Sequence, residues 1–171
     1  MRLRGLGIGV LMLIVLAAAI LMPRVGALGR FVTPDEYKWL NRSANFNSAL
    51  SQGEYAYTYQ REHPGVTTMW LGAAALLWRF PEYGRVGTPQ ASVDDYERVI
   101  AERGYELIDL LVASRFSMIF AHTVLLLLAF FFARRSLGPV PAFVGMLFIA
   151  FDPFHIAHSR VFHLDGLLSS L

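Results

Sequence analysis

The chain has 171 residues, of which 55% are hydrophobic and 16% are charged, and its formal net charge is +2. This balance is more apolar than that of an ordinary soluble domain, and without a dense run of Lys and Arg the sequence predicts no nucleic-acid partner. Because the sequence contains no cysteine, disulfides, thiol nucleophiles and cysteine-based zinc sites are excluded. The class that remains is an integral membrane protein in contact with a lipid bilayer.

Uninterrupted apolar runs predict membrane helices. Residues 5–22 and 116–133 each form a run of 18 residues without a charge, and about 20 apolar residues in a helix cross the hydrocarbon core. With their flanks, the runs predict a first transmembrane helix over about 5–22 and a second over about 113–133. Shorter stretches predict a third helix over about 139–151 and the start of a fourth over 164–171. The predicted fold class is therefore an all-α integral membrane protein.

The first apolar run has a second interpretation. Arg2 and Arg4 precede it and "AAAILMPRVGALG" ends it, a pattern that also resembles a secretory signal. We favour an uncleaved membrane helix, because the apolar part is long for a signal and further membrane segments follow.

The positions of the arginines predict the orientation in the membrane. The two N-terminal arginines precede the first helix, and Arg134 and Arg135 lie between the second and third. Such residues favour the cytoplasmic side. We therefore expect a cytoplasmic N-terminus, with residues 23–112 and the connection near 152–163 on the extracytoplasmic side.

The long outer segment divides into four pieces. Residues 34–52 predict a helix that ends at Gly53, and residues 54–63 predict a loop or an extended stretch. Residues 64–80 are apolar but short and contain Trp70 and Trp78, which favours a helix lying at the membrane interface over a further crossing. Residues 92–111 predict one charged helix, with Ser92 or Asp94 as its cap.

Two adjacent acids, Asp35 and Glu36, begin the first of these helices. Thr33 suits the N-cap, Pro34 suits the first helical position, and Glu36 stands three residues after the cap. Together they match a capping box. This interpretation accounts for Glu36 but leaves Asp35 without an assigned partner. A carboxylate fixed near the outer membrane face can act as a general base or bind a cation.

Further polar residues lie in the segment 151–168, "FDPFHIAHSRVFHLDGLL". Asp152 is predicted to cap a helix that begins at Pro153. If that helix continues without a break, one broad face carries His155, His158, Phe162, Asp165 and Ser169. The histidine spacing gives only one clean helical pair and matches no zinc motif, so no metal site is predicted. In the outer segment, Arg61 and His63 precede the interfacial helix, where they could hold a lipid phosphate.

The order of these elements resembles the N-terminal part of the GT-C glycosyltransferases, such as protein O-mannosyltransferases, lipid A aminoarabinose transferases and related bacterial membrane sugar transferases. The resemblance is carried by "PDE" after the first membrane helix, His-Pro before an amphipathic helix, an Arg near the start of the second membrane helix, the "ARRSLG" turn, and R-x4-D in "SRVFHLDGLL". It implies a truncated GT-C type fold in which 1–171 is the N-terminal part of a transmembrane glycosyltransferase domain. Members of the family carry many more helices, so we expect this chain to be an incomplete fragment.

The resemblance also implies a function. Such enzymes transfer a sugar from a polyprenyl-phosphate-linked donor to an acceptor (a protein, a lipid or a glycan) on the extracytoplasmic side, here of a bacterial plasma membrane. Asp35 matches the residue that activates the acceptor hydroxyl as a base, with Glu36 beside it as a second catalytic candidate. Substrate-binding roles fall to His63, Arg160 and Asp165 by resemblance, and to Arg61 by its affinity for phosphate. Nothing in the sequence requires a metal or a cofactor.

A hypothesis from a different class remains open. In a small non-catalytic membrane protein or subunit, the acidic residues only cap helices. That hypothesis predicts that Asp35 points to solvent, far from Asp165. The glycosyltransferase hypothesis predicts that the two residues converge near the outer membrane interface.

Overall fold

The structure, a computed structural model, describes residues 2–62 and 65–168, with side chains described from residue 7 onward. Throughout this part of the chain the secondary structure is helical and contains no β-strand. The prediction of an all-α fold is therefore confirmed.

The helices pack as two compact units. In chain order the described α-helices are α1 (Arg2–Val25), α2 (Pro34–Gln52), α3 (Val66–Arg79), α4 (Tyr83–Val86), α5 (Val93–Glu102), α6 (Leu107–Leu137), α7 (Pro139–Phe151), α8 (Pro153–Ser159) and α9 (Leu164–Leu168). The apolar unit comprises the described parts of Met1–Gly26, Ile119–Arg160 and Asp165–Leu171. The loop unit comprises those of Ala27–Met118 and Val161–Leu164. Helix α6 contributes to both units.

The apolar unit has its core between α1, α6 and α7. The buried side chains of this core are Leu16, Ile20, Leu126, Phe130, Ala142, Met146 and Ala150. Two of the three α7 positions are alanine, and small side chains let helices approach closely where lipid provides no hydrophobic drive between them. Packing in this unit therefore depends on close helix contact.

Among the described residues, two helices are long and apolar enough to cross a membrane, namely Gly7–Val25 within α1, and α6. A third is added if α7 and α8, which meet at a bend of 64°, form one broken span. Large apolar side chains such as Leu11, Ile14 and Phe120 are exposed on these helices, and an extended apolar surface suits lipid better than water. The described part of the chain therefore has two or three candidate membrane-spanning helices, as expected of a membrane protein.

The bend between α7 and α8 has a local cause. Pro153 cannot continue the hydrogen bonding of α7, and it disfavours helical dihedrals at the residue before it. Asp152 accordingly has extended dihedrals, φ −64° and ψ 120°, and its Oδ1 accepts a hydrogen bond from the backbone N–H of His155 at 2.6 Å. The prediction that Asp152 caps a helix beginning at Pro153 is confirmed.

The prediction of one continuous helical face over the following residues is wrong. Helix α8 ends at Ser159, a turn follows, and α9 begins at Leu164. In α8, His155 and Ser159 are four residues apart and are both buried, so they share one face. The turn breaks the periodicity that was expected to align His155 with Asp165. Of the predicted fourth membrane helix, residues 169–171 lie outside the described residues.

The loop unit is built around α2, which packs against α3, α4 and α5. Helix α2 runs over the predicted 34–52 and ends at Gly53, whose φ of 74° is the left-handed conformation that favours glycine at a helix end. Helix α3, at 14 residues, is shorter than the apolar stretch at 64–80. Neither helix is among the candidate spans.

Two predictions about this unit need correction. Residues 92–111 form two helices instead of one, because the chain turns at Gly104, with φ of 75°, between α5 and α6. The predicted loop at 54–63 contains a short 3-10 helix, Tyr55–Thr58. The cap at Ser92 is confirmed, since its hydroxyl oxygen accepts a hydrogen bond from the N–H of Asp95 at 3.1 Å.

Candidate functional site

The first turn of α2 places the two adjacent acids in opposite environments. The side chain of Glu36 is fully buried, whereas that of Asp35 is 61% exposed. Glu36 closes the predicted capping box: its Oε2 accepts hydrogen bonds from the backbone N–H of Thr33 at 2.9 Å and from the Thr33 hydroxyl at 3.0 Å. This part of the local prediction is confirmed.

Glu36 also forms a buried ion pair with Arg115 of α6. The guanidinium donates from Nε to Glu36 Oε1 at 2.7 Å and from Nη2 to Oε2 at 2.6 Å. It also donates to the carbonyl oxygens of Leu28 and Phe31. The backbone N–H of Phe162 donates to Glu36 Oε1 at 2.8 Å. One carboxylate therefore connects α2, α6, the chain before α2 and the turn before α9.

These contacts determine the ionisation of Glu36. Burial alone would raise the pKa of Glu36, but hydrogen bonds from Arg115, Phe162 and Thr33 and the charge of Arg115 hold it below its usual value of 4.5. Glu36 is therefore ionised near neutral pH. Because both of its oxygens already accept hydrogen bonds, we treat it as a positioning residue.

Asp35 is ionised and accessible. Lys38 Nζ lies 2.9 Å from Asp35 Oδ1, in an exposed pair three residues apart on the helix. The Lys38 hydrogen bond and charge lower the pKa of Asp35. The sequence argument left Asp35 without a partner, although the i, i+3 spacing on a predicted helix was a readable signal.

A polar cleft of about 780 Å³ opens beside this pair within the loop unit. Its walls are one face of α2, the chain after the 3-10 helix, and the chain before α5. The lining residues are Lys38, Asn41, Arg42, Asn45, Tyr57, Tyr59, Gln60, Arg61, Gln90, Ala91, Ser92 and Val93. Side-chain amides join the walls: Asn41 Nδ2 donates to the carbonyls of Ala91 and Ser92, and Asn45 Nδ2 donates to that of Ala91, each at 3.0 Å.

The cleft carries an excess of positive charge. It is lined by three cationic side chains, Lys38, Arg42 and Arg61, and by no carboxylate. Burial, followed by the positive charge of Arg61, lowers the pKa of Arg42. Within the described residues neither arginine forms a salt bridge. Such a cleft is suited to an anionic ligand.

Of the residues that line this cleft, the sequence pointed to Arg61 as a candidate phosphate ligand, but Arg42 and Asn45 were missed. Arg42 and Asn45 lie on the same face of α2 as Lys38, because Arg42 follows Lys38 by four residues and Asn45 follows Arg42 by three. This spacing was readable from the sequence as one polar helix face. The chain segments that form the opposite wall were not readable, because they come from far along the chain.

The apolar unit contains a separate polar cluster around Arg24, which is fully buried. Its guanidinium donates to Ser159 Oγ at 2.8 Å, to the carbonyl oxygens of Ile20 and Ala150 at 2.8 and 2.9 Å, and to His155 Nδ1 at 2.9 Å. Because a guanidinium only donates, His155 accepts at Nδ1 and is neutral in this arrangement. Sequence reasoning missed Arg24, which looked like the flank of an apolar run. A charge at the end of a membrane helix was the available signal.

A second histidine adjoins this cluster. The rings of His122 and His155 stand edge to face with centroids 5.9 Å apart. His122 Nε2 lies 2.6 Å from the carbonyl oxygen of Gly166, at the start of α9. These contacts connect α6, α8 and α9 within the apolar unit.

The other predicted site residues are assigned to units as follows. Arg160 and Asp165 belong to the apolar unit, where the Arg160 guanidinium donates to the carbonyl of Gly26, and where Asp165 is an exposed residue in the first turn of α9. Arg61 and Asp35 belong to the loop unit. His63 lies outside the described residues. The convergence of Asp35 with Asp165 stays a prediction.

Two further findings bear on the site. Over residues 2–62 and 65–168, no group of three or more His, Asp or Glu side chains is arranged to hold a metal ion. Comparison with protein families, with curated proteins and with solved structures gives no match.

Proposed function

We propose that this chain belongs to a membrane glycosyltransferase of the GT-C type, which transfers a sugar from a polyprenyl-phosphate-linked donor to an acceptor on the extracytoplasmic side. The observation that carries the proposal is the position of Asp35, an exposed and ionised carboxylate whose ion-pair partner Lys38 lines a cationic cleft. A base for the acceptor and cations for a phosphate are the two groups that such a transfer needs.

Asp35 accepts the proton of the acceptor hydroxyl while the hydroxyl oxygen forms a bond to the anomeric carbon of the sugar. The bond between that carbon and the phosphate oxygen breaks, and the lipid phosphate leaves with the electron pair. Cations such as Arg61 stabilise the negative charge of the leaving phosphate. By the resemblance alone, substrate-binding roles are also proposed for His63, Arg160 and Asp165.

Glu36 supports this step by positioning. Its hydrogen bonds to Arg115, Thr33 and Phe162 fix the first turn of α2, so the neighbouring Asp35 projects from a rigid element. A catalytic group held by surrounding packing acts more effectively than one on a mobile loop. We therefore propose that Asp35 accepts the proton, and that Glu36 holds the first turn of α2 in position.

The test is the substitution Asp35→Asn in the full chain in membrane vesicles, supplied with a panel of polyprenyl-phosphate hexoses. The readout is release of polyprenyl phosphate. Loss of a general base typically costs about 100-fold or more in rate, so we expect at least that decrease. Asp94→Asn, which removes an exposed acid from the first turn of α5, should leave the rate unchanged. Equal rates for Asp35→Asn and the unaltered chain would remove Asp35 from the mechanism.

A second candidate function is a non-catalytic membrane protein or subunit. The exposed Asp35–Lys38 pair favours it, because pairs of this kind are common on helix surfaces. Under this hypothesis, no donor in the panel releases polyprenyl phosphate above the background of vesicles without the chain.

A further inference from the structure

A buried hydrogen-bond acceptor without a partner lies in the wall of the polar cleft. Asn45 is 4% exposed, and its Nδ2 donates to the carbonyl oxygen of Ala91. This bond fixes the amide orientation, and Oδ1 has no hydrogen-bond partner among the described residues. Buried side-chain acceptors are nearly always paired. Because Asn45 also lines the cleft, its Oδ1 is a candidate acceptor for a hydrogen bond from a ligand bound there.

The two arginines of the same cleft form no salt bridge with any of the described residues. The Arg42 guanidinium carbon lies 4.8 Å from the centroid of the Trp39 ring, a cation–π contact that orients the group. Arg61 lines the same cleft, and its positive charge repels that of Arg42. A dianionic group between two guanidinium groups would relieve this repulsion, and planar guanidinium groups match phosphate oxygens well.

We propose that the polar cleft binds a sugar phosphate, with the phosphate on Arg42 and Arg61 and a sugar hydroxyl donating to Asn45 Oδ1. This inference rests on the proposed function for its context and extends it by naming the groups that recognise the substrate. The cleft volume of about 780 Å³ is within the range of small-molecule sites. Asn45 then distinguishes a sugar phosphate from inorganic phosphate, which reaches only the arginines.

The same chemistry has two possible sources. The sugar phosphate is either the head group of the lipid-linked donor or a phosphorylated glycan that serves as acceptor. Both present a phosphate next to sugar hydroxyls, so the residues above would recognise either. Competition experiments distinguish them: the unlabelled compound that displaces the probe identifies the source.

The experiment measures binding of hexose 1-phosphates and inorganic phosphate to the full chain in nanodiscs by isothermal titration calorimetry. Arg42→Gln should weaken both ligands by about 10-fold or more, as for loss of a charge-assisted hydrogen bond. Asn45→Leu should weaken the hexose phosphates by about 10-fold while leaving inorganic phosphate unchanged. Gln52→Leu removes side-chain amide bonds to Gly84 and Gly87, outside the lining of the cleft, and should leave the preference for hexose phosphate over inorganic phosphate intact.

If Asn45→Leu fails to fold, ligands that lack one sugar hydroxyl test the same contact in the unaltered chain. Monodeoxy hexose phosphates are titrated into the unaltered chain, and the analogue that lacks the recognised hydroxyl should bind about 10-fold more weakly. The inference is overturned if hexose phosphates do not bind, or if they bind no better than phosphate. Loss of probe binding together with Asp35-dependent transfer would reject this site alone. Probe binding together with a fully active Asp35→Asn variant would reject the transfer step alone.

Discussion

At the scale of single residues, the adjacent acids Asp35 and Glu36 differ in what surrounds them. Asp35 forms an exposed ion pair with Lys38, whereas Glu36 forms an ion pair with the fully buried Arg115. Exposed pairs add little to stability because water screens them. Removing one partner of a buried pair leaves an uncompensated charge, at a cost of about 3–5 kcal/mol. We therefore expect stability to depend on Glu36 and chemistry to depend on Asp35.

The substitution Glu36→Gln tests this division. It leaves the Arg115 charge buried without its counterion, so the free energy of unfolding should fall by about 3–5 kcal/mol. The pH dependence supplies a second readout. Because the pKa of Glu36 is below its usual value of 4.5, the pair stabilises the fold above that pH, and this contribution is lost as the pH falls through the folded-state pKa.

The measurement is thermal unfolding in detergent micelles across a pH series. The unaltered chain should lose stability on acidification below pH 4.5, and Glu36→Gln should lose less over the same range. Arg98→Gln, which removes an exposed ion pair with Asp95 and leaves the Ser92 cap in place, serves as the control and should leave stability at neutral pH nearly unchanged. Parallel pH curves for Glu36→Gln and the unaltered chain would contradict the assignment.

At the scale of helices, α2 and α3 approach each other at Gly72. A Cβ atom added there would lie 2.3 Å from Ser43 Oγ, 2.5 Å from Ser43 Cβ and 2.8 Å from the ring of Phe162. These separations are far below van der Waals contact, and the nearest atoms belong to short or buried side chains. The close contact that holds the α2 wall of the cleft against α3 therefore requires glycine at this position.

Gly72→Ala should destabilise the loop unit. Overpacking of this kind typically costs about 1–3 kcal/mol, and we expect a decrease of that size in the free energy of unfolding. Thermal unfolding in micelles measures the change. Gly145→Ala is the matched control, because no atom lies within 4 Å of the Cβ position there. A Gly72→Ala variant as stable as Gly145→Ala would show that α2 and α3 do not pack this closely.

Local signals in the sequence predicted some elements and missed others for physical reasons. Both ends of helix α2 were predictable, because Thr33 and Pro34 start the helix and Gly53 ends it through local backbone geometry. The break at Gly104 was not, since a single glycine among good helix formers is often tolerated within a helix. The Glu36–Arg115 pair joins residues 79 apart in the chain, and no local pattern encodes such a contact.

At the scale of the whole molecule, α6 is a candidate membrane-spanning helix that contributes residues to both units. Its 31 residues give a length of about 46 Å at 1.5 Å per residue, more than the roughly 30 Å of hydrocarbon. Asp109 and Arg115 lie in its first turns, and the charge-free run follows from residue 116. At its other end, Arg134 and Arg135 lie 5.5 and 4.6 Å from the Phe131 ring centroid. Helix α6 therefore has a charged segment at each end of an apolar centre.

This distribution predicts the orientation of the chain. Positive residues between membrane helices favour the cytoplasmic side, so the end of α6 at Ser136 should face the cytoplasm and the loop unit should lie outside. The sequence contains no cysteine, so single cysteines can be introduced without background. With a membrane-impermeant maleimide on intact cells, Glu102→Cys in the loop unit should be labelled, whereas Ser136→Cys should react only after permeabilisation. Both positions are exposed, so equal labelling in permeabilised cells is the control. Labelling of Ser136→Cys alone in intact cells would place Asp35 in the cytoplasm and exclude transfer on the outer face.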